Sequence, residues 1–350
     1  MLNLIILFVE GFDMRPIYIC LAADDNYAQL ASVAIASVIK SNMQAPIEFF
    51  ILDSGISCKN KEILNKQVKD KGKEISFISV IDKLEKLKEI GVNSQGYYHS
   101  FAAYARFYVI DILPNYIDKL LYIDCDTCVC ESLQKLFEIN LRDNLLGAVI
   151  DILPNFHKKA IGFDDSDLYF NSGVLLFNVK KWKEDNMLKR IEEHMIRMRC
   201  KYSFHDQDII NIVCKGYILP IAPCYMVFLP EYSWGVKGIL QLTNLSKEAY
   251  YTEIQIANAF NKPAIIHYVE TVFGRPWYNS CKSRYFEKWF NAFRESPFSE
   301  SFEYVERKIS LRHRMLEMAY YLFPRRCFIA LYKKRKDKVL LEREINAKKQ

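Results

Sequence analysis

Short apolar runs recur along the chain, separated by longer stretches in which apolar side chains return every three or four positions. Residues 16–22 (PIYICLA) form the first run and predict a buried strand. Residues 27–40 (YAQLASVAIASVIK) keep helical spacing and predict a helix. Residues 46–53 (PIEFFILD) predict a second strand ending on Asp53, 58–72 a helix with interleaved Lys and Glu, and 74–80 (EISFISV) a third strand. This alternation signals an α/β fold with parallel strands joined by crossover helices. In such sheets ligands bind beyond the carboxyl ends of the strands, at a topological switch point.

The pattern continues with a helix over 100–112 and a strand over 119–123 (KLLYI) that runs directly into Asp124-Cys125-Asp126. Residues 145–151 (LLGAVID) predict another strand ending on a carboxylate, Asp151, and 174–178 (VLLFN) a further one. Helices are expected over 179–199 and 205–215, and a late strand over 264–268 (AIIHY) presents His267. From about residue 280 the chain turns aromatic, basic and helical. The expected organisation is a non-core segment over 1–15, a main α/β domain over 16–280 and a helical basic extension over 281–350. No internal repeat is visible.

With 350 residues, 51% apolar and 26% charged, the chain can bury a core without disulfides, and global disorder is excluded. Its 12 glycines form neither G-x-G-x-x-G nor G-x-x-x-x-G-K-[ST], so phosphate cradles built of glycine amides are not expected. Neither H-E-x-x-H nor G-x-S-x-G occurs, which sets aside common zinc-protease and serine-hydrolase chemistries. The ten cysteines are scattered and read as reduced cytosolic thiols. Cys125, Cys128 and Cys130 lie close together, but a zinc ribbon needs a second pair and none follows. Leu2 to Val9 is apolar without a basic n-region, a poor signal peptide, and the natural start is expected at Met1 or Met14. No uninterrupted apolar run reaches about 18 residues, so no membrane span is expected.

Candidate chemistry concentrates at strand ends. In an extended segment the side chains of Asp124 and Asp126 project to one side, where two carboxylates can grip a hard divalent cation. The alternative is a solvated loop with helix-capping aspartates; the buried strand immediately before favours the metal. His267 at the end of its strand is either a hydrogen-bonded core histidine or a third ligand. A mixed oxygen and nitrogen set suits Mn²⁺, with Mg²⁺ as the other candidate. Arg275 lies close enough in sequence to contact phosphates at the same site. Asp206-Gln207-Asp208 opens a predicted helix and either caps it or faces a ligand. Asn171-Ser172-Gly173 precedes a strand and is either a turn or part of a polar cluster for a hydroxyl-rich ligand.

Taken in order, these pieces resemble the bacterial lipopolysaccharide-type enzymes of glycosyltransferase family 8, which have a GT-A fold. The resemblance covers roughly Ile17 to Tyr278 and rests on AADDNY (22–27), YARF (104–107), LLYIDCD (120–126), YFNSGVLLFNVKKW (169–182), DQDIIN (206–211), HY (267–268) and RPW (275–277). It implies a mixed sheet flanked by helices and a UDP-sugar donor. Ala22, Asp24 and Asn26 fall in the donor-binding segment, with Asp24 and Asn26 at the positions holding uracil and ribose. Arg106 matches an arginine near the donor sugar and phosphate. Asp124, Asp126 and His267 match the Mn²⁺ ligands, and Asp151, Asn171, Asp206 and Gln207 match the residues around the reacting sugar. The family commonly reads H-[FY]-x-G-x-x-K-P-W. Here two extra residues separate His267 from Pro276-Trp277, and Arg275 replaces the phosphate-binding lysine. The resemblance implies transfer of a hexose, galactose or glucose, with retention of anomeric configuration, onto a lipopolysaccharide or other cell-surface glycan.

Charge then separates body from tail. The net +6 divides into +8 for residues 301–350, with 14 Lys and Arg against 6 Asp and Glu, and −2 for the first 300. A nucleic-acid partner would call for basic charge on the folded body, so none is expected. Basic clusters alternating with Met, Tyr, Leu and Phe suit a helix lying on an anionic membrane, the alternative being a packed helical extension with a solvated basic face. The expectation is a cytoplasmic protein held peripherally at the inner face of a bacterial plasma membrane, where a glycolipid acceptor grows. Two rival functions are a metal-dependent sugar nucleotidyltransferase and a non-catalytic membrane protein on a degenerate transferase scaffold.

Overall fold

A computed structural model describes residues 16–89, 102–198, 202–307 and 309–349. The segment 1–15, residues 100–101 of the expected helix over 100–112 and residue 199 at the end of the helix expected over 179–199 lie outside the described residues. Seven strands form the main sheet: β1 (Ile17–Ala23), β2 (Ile47–Asp53), β3 (Glu74–Ser79), β4 (Lys119–Ile123), β6 (Leu146–Ile150), β7 (Phe170–Asn178) and β8 (Ile218–Pro220). A separate pair joins β5 (Thr127–Val129) to β9 (Ile265–His267). The main order is β3-β2-β1-β4-β7-β6-β8, with β7 antiparallel to both β4 and β6 and the other pairs parallel. This is the mixed, helix-flanked sheet of the GT-A fold.

Strand order carries a functional consequence. From β1 the chain builds outward through β2 to β3, then returns to place β4 on the other side of β1. The switch point therefore lies between the carboxyl ends of β1 and β4, where Asp24 and Asp124 follow their strands. Because β7 runs antiparallel to β4, its amino end, Phe170–Gly173, arrives at the same rim. The carboxyl end of β6 arrives there too, Ile150 pairing with Phe170.

The first helix, Ala28–Ser41, is buried along nearly its whole length. Its alanines allow close approach to the sheet on one side, and the aromatic helix Phe286–Phe293 packs on it as well. Ser32 and Ser296 share a hydrogen bond of 2.7 Å across that contact. Trp289, Phe293 and Phe328 join the same continuous core as the sheet. Two long helices, Leu311–Leu322 and Arg325–Lys349, close the chain.

Several elements differ from the sequence pattern. The helix expected over 100–112 consists of two short helices, Ala102–Ala105 and Val109–Ile112. The helix expected over 179–199 breaks into Val179–Glu184 and Met187–Met198, because Asn186 takes a left-handed φ of 51°. The strand expected over 174–178 begins four residues earlier, its polar start belonging to the sheet. The three-residue strands β5 and β8 are too short for apolar periodicity to reveal.

Candidate active site

Asp124 leaves β4 and stays tied to the sheet, its backbone N–H donating to the Gly173 carbonyl at 2.9 Å. Thr127 then pairs with His267 in the small sheet, and Tyr268 N–H donates to the Asp126 carbonyl at 2.9 Å. That register carries the imidazole to the two carboxylates across more than 140 residues of chain. The His267 Nε2 atom lies 3.0 Å from Asp126 Oδ1 and 3.7 Å from Asp124 Oδ2. Among the described residues these three form the one group of acidic, His or Cys side chains able to hold a metal, with ligand atoms within 4.8 Å of one another.

The donor set fits a hard, borderline divalent ion. Burial alone would lower the His267 pKa, but Asp126, then Asp124, outweigh it and raise it. Burial would likewise raise Asp126, and His267 with Arg275 brings it below the usual carboxylate range instead. The buried His267 Nδ1 has no hydrogen-bond partner. A cradle is also visible at Gly173: a Cβ there would stand 2.5 Å from His267 Cε1 and 2.8 Å from Asp124 Oδ2. Only glycine leaves that space. Gly173→Ala is expected to weaken Mn²⁺ binding at least roughly ten-fold, since the side chains that must yield are two of the three that could hold the ion. Isothermal calorimetry with Mn²⁺ checks this, and unchanged affinity would contradict it.

Arg106 organises the opposite side. It is almost fully buried, with Nη2 2.9 Å from Asp124 Oδ1 and Nη1 3.2 Å from Asp206 Oδ2. Its remaining donors reach the carbonyls of Ala103 and Ser172, and the guanidinium sits 4.4 Å over the Tyr122 ring. Burial works against its charge; Asp124 and Asp206 more than restore it and raise its pKa. Asp206 itself is raised by burial despite Arg106, and accepts a hydrogen bond from Ser172 Oγ at 2.9 Å.

Gln207 is held in one orientation. Its Oε1 accepts from Ser172 N–H at 3.1 Å, while Nε2 donates to Asp151 Oδ2 at 2.9 Å and Tyr169 Oη at 3.2 Å. A carboxylate can only accept and an N–H can only donate, so these partners fix the amide without ambiguity. Asp151 Oδ2 also accepts from Asn171 Nδ2 at 2.9 Å, and Asn171 Oδ1 accepts from Gly173 N–H at 2.8 Å. Asp151, Asn171, Asp206 and Gln207 thus meet as one polar cluster beside Asp124.

The remaining expected residues sit around this centre. Ala22 is near the end of β1, its carbonyl accepting from Cys125 Sγ at 3.2 Å. Asp24 caps the short helix Asp25–Tyr27, accepting from Tyr27 N–H at 3.1 Å, and Asn26 is exposed within it. Arg275 reaches back to the metal group in spite of the lengthened loop, Nη2 lying 3.9 Å from Asp126 Oδ2. Gly274, at φ 71°, makes the preceding turn, and Glu270 pairs with Arg275 at 3.7 Å. The buried Arg275 Nε makes no hydrogen bond.

Two participants carry no assigned role in the sequence, Tyr122 and Tyr169, while Ser172 and Gly173 are expected there only as a turn or part of a polar cluster. Tyr122 donates to Asp124 Oδ1 at 2.9 Å. It stands two residues before Asp124, on the same face of the strand, a signal that strand periodicity contains. Ser172 serves through its backbone as much as its hydroxyl, and backbone roles leave no residue-type signature.

A family model, Glycosyl transferase family 8, matches residues 18–281. A Haemophilus influenzae protein named only as a glycosyltransferase is 34% identical over 204 residues, 57% of this chain and 60% of that one. The chain thus spans less than two thirds of that relative. A lipopolysaccharide 1,2-glucosyltransferase of Escherichia coli is 25% identical over 303 residues, 83% of each chain. Among solved structures, galactosyltransferase LgtC bound to donor and acceptor sugar analogs is similar at a TM-score of 0.67 and 28% identity, covering 81% of this chain and 96% of that one.

Proposed function

The chain belongs to glycosyl transferase family 8, and on that premise we propose that it moves galactose or glucose from a UDP-sugar to a saccharide acceptor with retention of configuration. The observation that carries this reading is the Asp124–Asp126–His267 group at the switch point, with Arg275 beside it and the Asp151–Gln207 cluster next to it. Relatives named for lipopolysaccharide glucosyl and galactosyl transfer support a hexose donor and a lipopolysaccharide or similar cell-surface glycan as acceptor. Neither the nucleotidyltransferase nor the non-catalytic reading gains support, since the family match covers the site and every metal position is filled.

Asp124, Asp126 and His267 would hold Mn²⁺, or Mg²⁺ in its place, which offsets charge on the departing diphosphate as a Lewis acid. Asp24 and Asn26 lie where uridine would sit, and Arg275 adds fixed positive charge for the diphosphate. Its guanidinium can grip phosphate bidentately, as a lysine cannot. Arg106 bridges Asp124 and Asp206 and holds the two carboxyl groups side by side. Asp151, Asn171 and Gln207 offer hydrogen bonds to sugar hydroxyls.

Retention through a covalent glycosyl-enzyme needs a free carboxylate near the anomeric carbon. Asp151 is engaged by two amides, and the neutral Gln207 amide is a poor nucleophile. We therefore favour front-side attack. The acceptor oxygen bonds to the anomeric carbon as the bond to phosphate breaks, and the acceptor proton passes to the departing phosphate oxygen. A covalent adduct on Asp151 or Asp206 in mass spectrometry would overturn this route. The reading as a whole is tested by UDP release from UDP-galactose and UDP-glucose with Mn²⁺: slow release from at least one is expected, and release from neither contradicts it. Gln207→Ala is expected to lower that rate roughly 100-fold while UDP affinity changes less than three-fold. An unchanged rate removes Gln207 from the site.

The exposed faces of residues 281–350 we assign to docking on the cytoplasmic face of the membrane, and 16–280 to transfer, with the last helix packed against it. Leu311, Met315, Met318 and Leu322 are exposed along one face of the helix Leu311–Leu322, next to exposed Arg312, Arg314, Arg325 and Arg326. No helix among the described residues is long and apolar enough to cross a membrane. Each basic residue near anionic lipid adds about 1 kcal/mol. The full chain is expected to bind phosphatidylglycerol vesicles in co-sedimentation, less so at high salt, and Met315→Glu with Met318→Glu is expected to abolish binding. Equal binding by that variant overturns the assignment.

A further inference from the structure

The last helix, Arg325–Lys349, lies against the elements that carry Asp151 and Gln207. Lys336 Nζ donates to the Ile152 carbonyl at 3.0 Å, one residue beyond Asp151. Leu340 is buried with Leu153, Phe163 and Tyr169. The helix also ends a continuous polar chain. Glu344 Oε1 lies 3.2 Å from His157 Nδ1, and His157 Nε2 lies 3.0 Å from Asp208 Oδ1. Asp208 Oδ1 accepts from the Tyr169 hydroxyl at 2.6 Å, and that hydroxyl accepts from Gln207 Nε2 at 3.2 Å.

This chain is buried throughout. His157 and Asp208 are essentially inaccessible and the Glu344 side chain is only 12% exposed. Burial alone would lower the His157 pKa; hydrogen bonds to the Asp208 and Glu344 carboxylates carry it up to about 9 instead. A cationic imidazole between two carboxylates has a fixed orientation, since both ring nitrogens must donate. Tyr169 and Phe204 pack edge-on against it at 5.4 and 4.9 Å. The Asp208 carboxylate also accepts from Phe204 N–H at 2.9 Å, at the start of the helix His205–Val213 that bears Gln207. His157 therefore clamps the first turn of that helix to the end of the chain.

We infer that His157 and Glu344 are positioning residues for Gln207, and that the C-terminal helix is a working part of the transfer site. The inference rests on the proposed function for its turnover readout, and on geometry alone for the rest. A rigid outer contact is how a site holds a reacting geometry, and a small displacement of such a contact costs turnover more than ground-state binding.

Glu344→Ala is the test, because Glu344 is near the surface and leaves Asp208 paired. With UDP-galactose and UDP-glucose as probes and Mn²⁺ present, kcat for UDP release is expected to fall roughly ten-fold, with UDP affinity by calorimetry within two-fold of the parent. Glu344→Gln keeps an oxygen acceptor for His157 and is expected to recover most of the rate. Lys338→Ala, exposed on the same helix, is expected to match the parent. Combined with Gln207→Ala, Glu344→Ala is expected to add no further loss, since both act through one amide. An unchanged kcat, equal losses in kcat and UDP affinity, or fully multiplicative effects in the double variant would each overturn the inference. Hydrogen exchange reads the clamp without turnover: amides over 204–208 are expected to exchange at least five-fold faster in Glu344→Ala by the loosening of that turn. Unchanged exchange overturns the inference even if neither UDP-hexose is a substrate, a result that would count separately against the proposed function.

Discussion

Asp126→Ala is expected to abolish UDP release from a UDP-hexose and to remove the Mn²⁺ dependence of UDP binding, and Asp124→Ala is expected to do the same. The two carboxylates differ in their secondary duties. Asp126 contacts His267 at 3.0 Å and lies within 3.9 Å of Arg275, so its loss removes the group that joins the imidazole to the guanidinium. Asp124 is shared between the metal group and Arg106, so its loss also leaves a buried guanidinium short of one partner. Both variants should fall by a factor of about 1,000 or more in rate, the scale of removing electrostatic stabilisation at a developing charge. Asp124→Ala should in addition lose stability in urea unfolding, by less than the roughly 3–5 kcal/mol of a fully broken buried pair, since Arg106 keeps Asp206. Calorimetry separates metal loss from misfolding: either variant binding UDP with Mn²⁺ as tightly as the parent would contradict the ligand assignment.

Arg106→Met is expected to be the most destabilising single change in the site. The methionine fills much of the volume, so packing is not the main loss. What is lost is the one cation between Asp124 and Asp206, together with donors to two carbonyls. The carboxylates then face each other with Asp126 nearby. The expected cost is about 3–5 kcal/mol of unfolding free energy. Bound Mn²⁺ would offset part of that repulsion, so saturating metal should restore more stability to the variant than it adds to the parent. Urea unfolding with and without Mn²⁺ measures both. A loss below about 1 kcal/mol, or an equal response to metal in both proteins, would show that Arg106 does not organise the acidic cluster.

The legible part of this site was the part written in consecutive residues. The run from Lys119 to Ile123 had to stop for Asp124 and Asp126, and that interruption of a buried strand is visible without coordinates. Asp151 was visible for the same reason at the end of β6. His267 is different: its strand is legible over 264–268, but what brings its imidazole to the two carboxylates is its register opposite Thr127 in β5, and a strand of three residues carries no periodicity. The Gln207 amide was visible as a residue but not as an oriented group, since its orientation comes from Ser172 N–H, Asp151 and Tyr169 on other elements. The helix break at Asn186 rests on a single left-handed residue that helical spacing continues straight across. The basic tail was legible as charge. Its contact with the transfer site through Glu344 and His157 was not, because a charged residue on a helix reads as a solvated face until the neighbouring element is known.

The metal assignment stands or falls on a calorimetric titration of UDP into the full chain, first with Mn²⁺ and then after chelation. Saturable binding at one site is expected with the metal and an affinity at least roughly ten-fold weaker without it, because the diphosphate would then face Asp124 and Asp126 with only Arg106 and Arg275 to offset them. Equal affinity in both conditions, or no binding in either, would contradict the central claim that Asp124, Asp126 and His267 hold a metal for a UDP-sugar.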